Sequence, residues 1–254
     1  MLRKIKGKYN CCMVTHQGLV REVNQDAVLA LSDKNIGIYV LADGMGGHSQ
    51  GELASQTIVD EFALFWKDFL DNAYLDMTFD SLLRAVENVV RKANQRIFQE
   101  FNFSQVCGST IVVLLLFKEF YATFTVGDSR IYSLIKRKLN LLTVDDIWDT
   151  LPETTSNMTK EQIANDPRRG KLVQAIGIDQ TLNIHMATNR LRYGQVFLLC
   201  SDGLFKFCKE SYIEKQLIKA KNEESMRDVA QELLREVFQN GAGDNVSAII
   251  VKAE

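Results

Sequence analysis

An α+β protein, with antiparallel sheets covered by pairs of helices, is what this sequence predicts, and three observations predict it. Strand-like and helical stretches come in blocks instead of alternating: strands, two helices, strands, an insertion, strands, two helices, a final strand. Between 110 and 142 the strand-like runs are joined by only two to four residues, whereas a parallel crossover needs about a dozen or more. The long helical stretches carry one-sided apolar stripes of the kind that face a core. With 254 residues the chain is expected to form a single domain over 1–254, with a flap-like insertion at about 145–177.

Tyr9 to Thr15 and Ala27 to Leu31 are short, apolar and β-compatible, and the polar stretch from Gly18 to Asp26 joins them as a loop. Ile36 to Ala42 follows as a third strand, apolar enough for burial on both faces. The run ends at Asp43 in a glycine-rich turn, Gly44, Gly46, Gly47 and Gly51, which hands over to a helix carrying Leu53, Ile58, Phe62, Phe65, Trp66 and Phe69. Phe79 to Phe101 is a second helix, striped by Leu82, Val86, Val89, Ala93 and Ile97, expected to pack beside the first. Thr110 to Phe117, Phe120 to Val126, Ser129 to Ile135 and Lys138 to Leu142 then read as an antiparallel meander.

Asp145 to Gly170 is polar and reads as a surface insertion with a short helix at Lys160 to Asn165, capped by Thr159. Strands resume at Ile184 to Ala187 and Gln195 to Cys200. Helices follow at Glu210 to Ala220 and Glu223 to Gln239, and Val246 to Val251 closes the chain.

The charge balance, 30 Lys+Arg against 32 Asp+Glu, provides no global basic field for nucleic acid or an anionic membrane. No stretch approaches the ~20 apolar residues of a spanning helix. The basic start, Arg3, Lys4, Lys6 and Lys8, lacks the apolar core of a signal peptide. Cys11, Cys12, Cys107, Cys200 and Cys208 contain no C-x-x-C pair and fit buried thiols of a reducing compartment, so a cytoplasmic protein is expected.

Four aspartates share a local pattern. Asp43, Asp128, Asp202 and Asp244 each follow an apolar run or short turn and adjoin a glycine or other small residue. One Asp-Gly is an ordinary turn; four acids ending strands suggest oxygen ligands for a hard divalent cation, Mg²⁺ or Mn²⁺. His16, His48 and His185 show no zinc-ligand spacing. The glycine turn matches neither nucleotide fingerprint: Ser49 stands where the third glycine of the dinucleotide motif belongs, and no Gly-Lys-Ser/Thr follows.

Taken in order, Gly18-Leu-Val-Arg-Glu-Val-Asn-Gln-Asp26, Leu41-Ala-Asp-Gly-Met-Gly-Gly-His-Ser-Gln-Gly-Glu-Leu-Ala-Ser55, Cys107-Gly-Ser-Thr110, Val126-Gly-Asp-Ser-Arg-Ile-Tyr132, Leu199-Cys-Ser-Asp-Gly-Leu204 and Gly243-Asp-Asn-Val-Ser247 span nearly the whole chain. Together they resemble the metal-dependent protein serine/threonine phosphatases of the PPM, or type 2C, family, most closely the compact bacterial members. The resemblance implies an αββα sandwich, two antiparallel sheets face to face with helix pairs outside. It implies two Mg²⁺ or Mn²⁺ ions, with Asp43 bridging them, Asp202 and Asp244 completing one and the Gly44 carbonyl serving the other. Asp128 would join Asp202 at a third, weaker site. Asp26 would hold water in the outer shell beside Gln25 and Asn245, and Arg21 would bind the substrate phosphate through its guanidinium fork.

The implied activity is hydrolysis of phosphoserine and phosphothreonine on proteins by a metal-activated water, with Arg21, Asp26 and Asp43 as the catalytic set. The expected partners are phosphoproteins made by a serine/threonine kinase, met in signalling by a monomer. Two other readings stay open: a phosphatase-like module that binds phosphoproteins without turnover, and a two-metal hydrolase of a small phosphoester. Three positions depart from common family patterns. Met45 stands where some members have a histidine, so it cannot be an acid, and His48 reads as part of the helix start. Gln25 replaces a frequent Glu, and Thr143-Val-Asp-Asp-Ile147 replaces Thr-x-Asp-His-Ser. Lys160 to Gly177 resembles the family's flap.

Overall fold

Two antiparallel sheets stack face to face, each covered outside by a pair of helices. The computed structural model describes residues 9–33, 35–47, 50–71, 77–101, 107–151 and 155–253. One sheet has the order β1-β11-β10-β7-β8, built from β1 (Tyr9–His16), β7 (Arg130–Ile135), β8 (Lys138–Leu141), β10 (Val196–Cys200) and β11 (Val246–Ala253). The other runs β2-β3-β5-β6-β9, from β2 (Asp26–Asp33), β3 (Ile36–Gly46), β5 (Ile111–Phe117), β6 (Phe120–Val126) and β9 (His185–Arg190), with the short β4 (Cys107–Ser109) pairing the end of β3. This is the αββα sandwich that the resemblance implies.

Period-two alternation fixes the layers. In β3, Tyr39 and Leu41 face the other sheet and meet Phe197, Leu199, Ile249 and Val251, whereas Ile38 and Val40 face the helices. Those helices are α1 (Gln50–Asp71) and α2 (Phe79–Glu100), which pack together as their stripes predict. On the opposite outside lie α5 (Glu210–Leu217) and α6 (Glu223–Gln239), over Leu198, Cys200, Ala248 and Ile250. Thr78 and Asn222 start α2 and α6 with capping boxes, and Thr159 caps α3 (Lys160–Ala164) as expected. A one-turn helix, α4 (Asp202–Phe205), follows β10 directly.

Three expectations need correction. The strands from β5 to β8 are not one meander: β5 pairs with β6 in one sheet and β7 with β8 in the other. At Gly127 to Ser129 the chain crosses between layers, with Gly127 at φ +98°, a conformation L side chains rarely adopt. The glycine turn also begins later than predicted. β3 runs through Asp43 to Gly46, because β4, which the apolar pattern of the sequence did not show, supplies it with a partner. The insertion after β8 is not wholly on the surface. Its roots hydrogen-bond Ser109 and Gly127, and Trp148, Ala175 and Ile176 are buried. His48 and Pro152 lie outside the described residues. Among the described residues no helix is long and apolar enough to cross a membrane.

Candidate metal centre

All five predicted acids meet at one end of the sandwich, and the pairing explains how. Asp26 and Asp43 are direct cross-strand partners of β2 and β3. Asp128 occupies the crossing between sheets, Asp202 follows the end of β10, and Asp244 precedes β11. Burial first, and then the charges of Asp26, Asp202, Asp128 and Asp244, lift the Asp43 carboxyl well above the ordinary range.

Asp43 is held through its backbone. Its carbonyl accepts from Thr110 N (2.8 Å) and Ser109 Oγ (3.0 Å), and its N–H donates to Thr110 Oγ1. Thr110 Oγ1 is in turn 2.7 Å from Ser129 Oγ, which ties Asp43 to the Asp128 crossing. Gly44 N donates to Gln25 O, and a Cβ on Gly44 would sit 2.0 Å from the carbonyl oxygen of Gly51. The bare glycine backbone thus first serves to seat the start of α1 against β3, with the Gln25 side chain lying against Gly51. Gly203 is similarly constrained, its Cβ position lying 1.8 Å from Asn245 O.

Asp26 is the most informative acid. It is buried, and Oδ2 accepts from Ser201 Oγ at 2.8 Å. Oδ1 is buried with no hydrogen-bond partner. Burial raises its pKa to about 6 against the Ser247 and Ser201 hydrogen bonds, with the Asp202 charge adding to the rise. Asp128 is also raised to about 6, by burial first and then by Asp202, while Lys206 pulls it down.

Two resident cations occupy the rim. Arg21, half exposed, holds Asp244 through both Nε–Oδ1 and Nη2–Oδ2 at 2.9 Å, and that contact raises its own pKa. Lys206 Nζ closely contacts Asp202 Oδ2. Asn245 clamps the loop that bears Arg21: Oδ1 accepts from Gln25 N, and Nδ2 donates to Gln17 O and Val23 O, each at 2.9 Å.

As the side chains stand, no group of three or more His, Cys, Asp or Glu among the described residues forms a metal cage. The ion pairs explain this in part, since Arg21 holds Asp244 and Lys206 holds Asp202. The donor set nonetheless fits a hard cation. It is all oxygen, one buried carboxylate oxygen lacks a partner, and three carboxyls are lifted by burial and mutual repulsion that positive charge would relieve.

Several residues around the site were not singled out from the sequence. Asp145 holds Arg130 through Oδ1 at 3.1 Å and Oδ2 at 2.7 Å. Arg130 also donates to Tyr132 OH and lies 3.8 Å from the Phe205 ring centre, which braces α4. Asp146, buried, accepts from Gly127 N (2.9 Å) and Gln174 Nε2 (3.0 Å), and its other oxygen is 2.7 Å from His185 Nε2. Asp146 falls in the segment that departs from the Thr-x-Asp-His-Ser pattern the resemblance led one to expect, and here His185 of β9 brings an imidazole to that carboxylate. The consecutive acids Asp145 and Asp146 were the available signal, and Ser201 carried none beyond its place before Asp202.

Comparison with known proteins bears on the family and the fold. The profile of the family described as protein phosphatase 2C matches residues 17–250. The serine/threonine phosphatase stp of Listeria welshimeri is 28% identical over 243 residues, covering 94% of this chain and 93% of that protein. The crystal structure of serine/threonine phosphatase Stp1 from Staphylococcus aureus superposes with a TM-score of 0.82 at 27% identity, covering 100% of this chain and 98% of that one. The catalytic domain of serine/threonine protein phosphatase PstP, in complex with two manganese ions, gives 0.77 at 26% identity, covering 96% and 97%.

Proposed function

This chain belongs to the protein phosphatase 2C family, and from that premise we propose that it removes phosphate from phosphoserine and phosphothreonine on other proteins at the acidic end of the sandwich. The observation that carries the reading is the meeting of Asp26, Asp43, Asp128, Asp202 and Asp244 from segments far apart in sequence, with Arg21 on the rim. The enzyme depends on divalent metal. Asp43, the Gly44 carbonyl, Asp202 and Asp244 would hold two Mg²⁺ or Mn²⁺ ions, and Asp128 with Asp202 would offer a weaker third position. Bound there, the cations supply charge that acidifies water and offsets the phosphoryl oxygens.

The chain's own groups do the rest. Asp26 Oδ1 accepts a hydrogen bond from the attacking water and, with a carboxyl raised to about 6, accepts its proton more readily than an ordinary aspartate. Ser201 fixes the other oxygen of that carboxylate, so only Oδ1 faces the water. Arg21 presents Nε and Nη2 in a planar fork, now closed on Asp244, and the same fork fits two phosphoryl oxygens. The clamp by Asn245 keeps the fork's loop beside the acids. The reading has a cytoplasmic monomer acting on substrates of a serine/threonine kinase.

Phosphate release from a phosphothreonine peptide tests it. Turnover should require Mn²⁺ or Mg²⁺, stop with EDTA, and fall to background in Asp43→Asn and Asp202→Asn. Activity that survives chelation and both substitutions refutes the proposal.

A further inference from the structure

Lys206 is not explained by the reaction as described, yet it faces the centre of the acids. It lies four residues after Asp202, and its backbone N–H donates to Asp202 O at 2.9 Å, so the single turn of α4 brings the side chain back over the acid that starts it. Nζ contacts Asp202 Oδ2. The turn is well anchored: Phe205 lies under the Arg130 guanidinium, and Gly203 packs on Asn245. The other basic groups near this corner are taken, Arg130 by Asp145 and Arg21 by Asp244. Lys206 is therefore the cation that serves both Asp202 and the buried Asp128, whose charged form it favours. Burial disfavours the charged ammonium, but Asp202, Asp128 and Asp244 more than offset this and raise its pKa.

We propose that Lys206 is a resident cation of the Asp128–Asp202 corner, a specificity-determining residue that, from Asp202 Oδ2, keeps an ion off the weaker third position shared by these two carboxylates, while Asp43, Gly44, Asp202 and Asp244 still hold the two ions that serve the reaction. The inference rests on the metal-centre reading above. An ammonium is a compact point charge on a flexible stem. It neutralises one acid fully and a second by proximity, and a divalent ion entering the corner would have to displace it against repulsion.

Calorimetric titration of MnCl₂ into chelator-stripped protein tests this in wild type, Lys206→Met, Lys206→Gln, Lys206→Arg and the double variant Lys206→Met/Asp128→Asn. Wild type and Lys206→Arg should show the same tight uptake. Lys206→Met and Lys206→Gln should add one weaker Mn²⁺ per chain, bound at least about tenfold more tightly than any such ion in wild type, as expected when a nearby like charge is removed. The double variant should lose the added ion. Equal stoichiometry and affinity in wild type and both neutral variants overturns the role of Lys206 alone, as does an added ion that survives Asp128→Asn. No Mn²⁺ uptake by any of the chains overturns the metal centre, and this inference with it.

Discussion

Stripped of metal, the Asp26→Asn chain should be more stable than wild type at neutral pH, although it should be a poorer enzyme. Burial holds Asp26 at about 6 in the folded chain, above the ordinary 3.8 that the unfolded chain shows. Between these values the folded state keeps a proton that the unfolded state has released, so this group's contribution is most favourable below about pH 4 and declines as pH rises through 6. Slightly more than two pH units at 1.36 kcal/mol each gives about 3 kcal/mol of cost at pH 7.5. The amide of the Asp26→Asn variant keeps an acceptor for Ser201 Oγ and removes the charge, so it recovers up to that amount. At 2–4 °C per kcal/mol for chains of this size, Tm should rise by up to about 6–12 °C. Differential scanning calorimetry in EDTA between pH 4.5 and 8 should show the gap opening with pH and levelling above 7. In saturating Mn²⁺ the wild type should recover most of it. A variant no more stable than wild type at pH 7.5, or a gap that does not widen from pH 4.5 to 7, would refute the reasoning.

Three further outcomes follow from the geometry. Arg21→Ala should lower kcat/KM on a phosphothreonine peptide by about 100-fold, from the loss of two charge-assisted hydrogen bonds, and Arg21→Lys should restore only part because it lacks the fork; steady-state kinetics decide. Asn245→Ala leaves Gln25 N, Gln17 O and Val23 O without their partner, and urea unfolding should show a loss of about 2–3 kcal/mol. Gly44→Ala forces a Cβ onto the Gly51 carbonyl, so thermal unfolding should show a loss above about 3 kcal/mol, whereas Gly194→Ala, in open space at φ +74°, should cost about 1 kcal/mol.

The sandwich was legible because its signals are local. Period-two runs, helix stripes and the cap at Thr159 each depend on neighbours within a turn or a strand. What was not legible depends on pairing across the molecule. β4 has three residues and no pattern of its own; only its match to Gly44, Met45 and Gly46 makes it a strand. The crossing at Gly127 looked like one more hairpin because a two-residue link fits both, and only the partner of β7, which is β10, distinguishes them. Four of the acids could be read from their turns and Asp26 only from the motif resemblance, which, not spacing, also assigned the roles of all five. Lys206 escaped notice, and Asp146 showed only as a departure from the family pattern, since a lysine on a helix and an acid in a polar segment look ordinary until their partners are seen.

The acids around Asp43 are drawn from both layers: Asp26 and Asp43 from one sheet, Asp202 and Asp244 from segments adjoining β10 and β11 of the other, with Ser201 hydrogen-bonded to Asp26 across the gap. Their separation is consequently gauged by the side chains wedged between the layers, Tyr39, Leu41, Phe197, Leu199 and Ile249, all buried. These apolar residues act as spacers for an electrostatic device, so their bulk tunes the chemistry without touching it. Thinning the wedge would let the layers settle and change the distances between charges, and ions gripped by both layers would in turn rivet the open end of the sandwich shut.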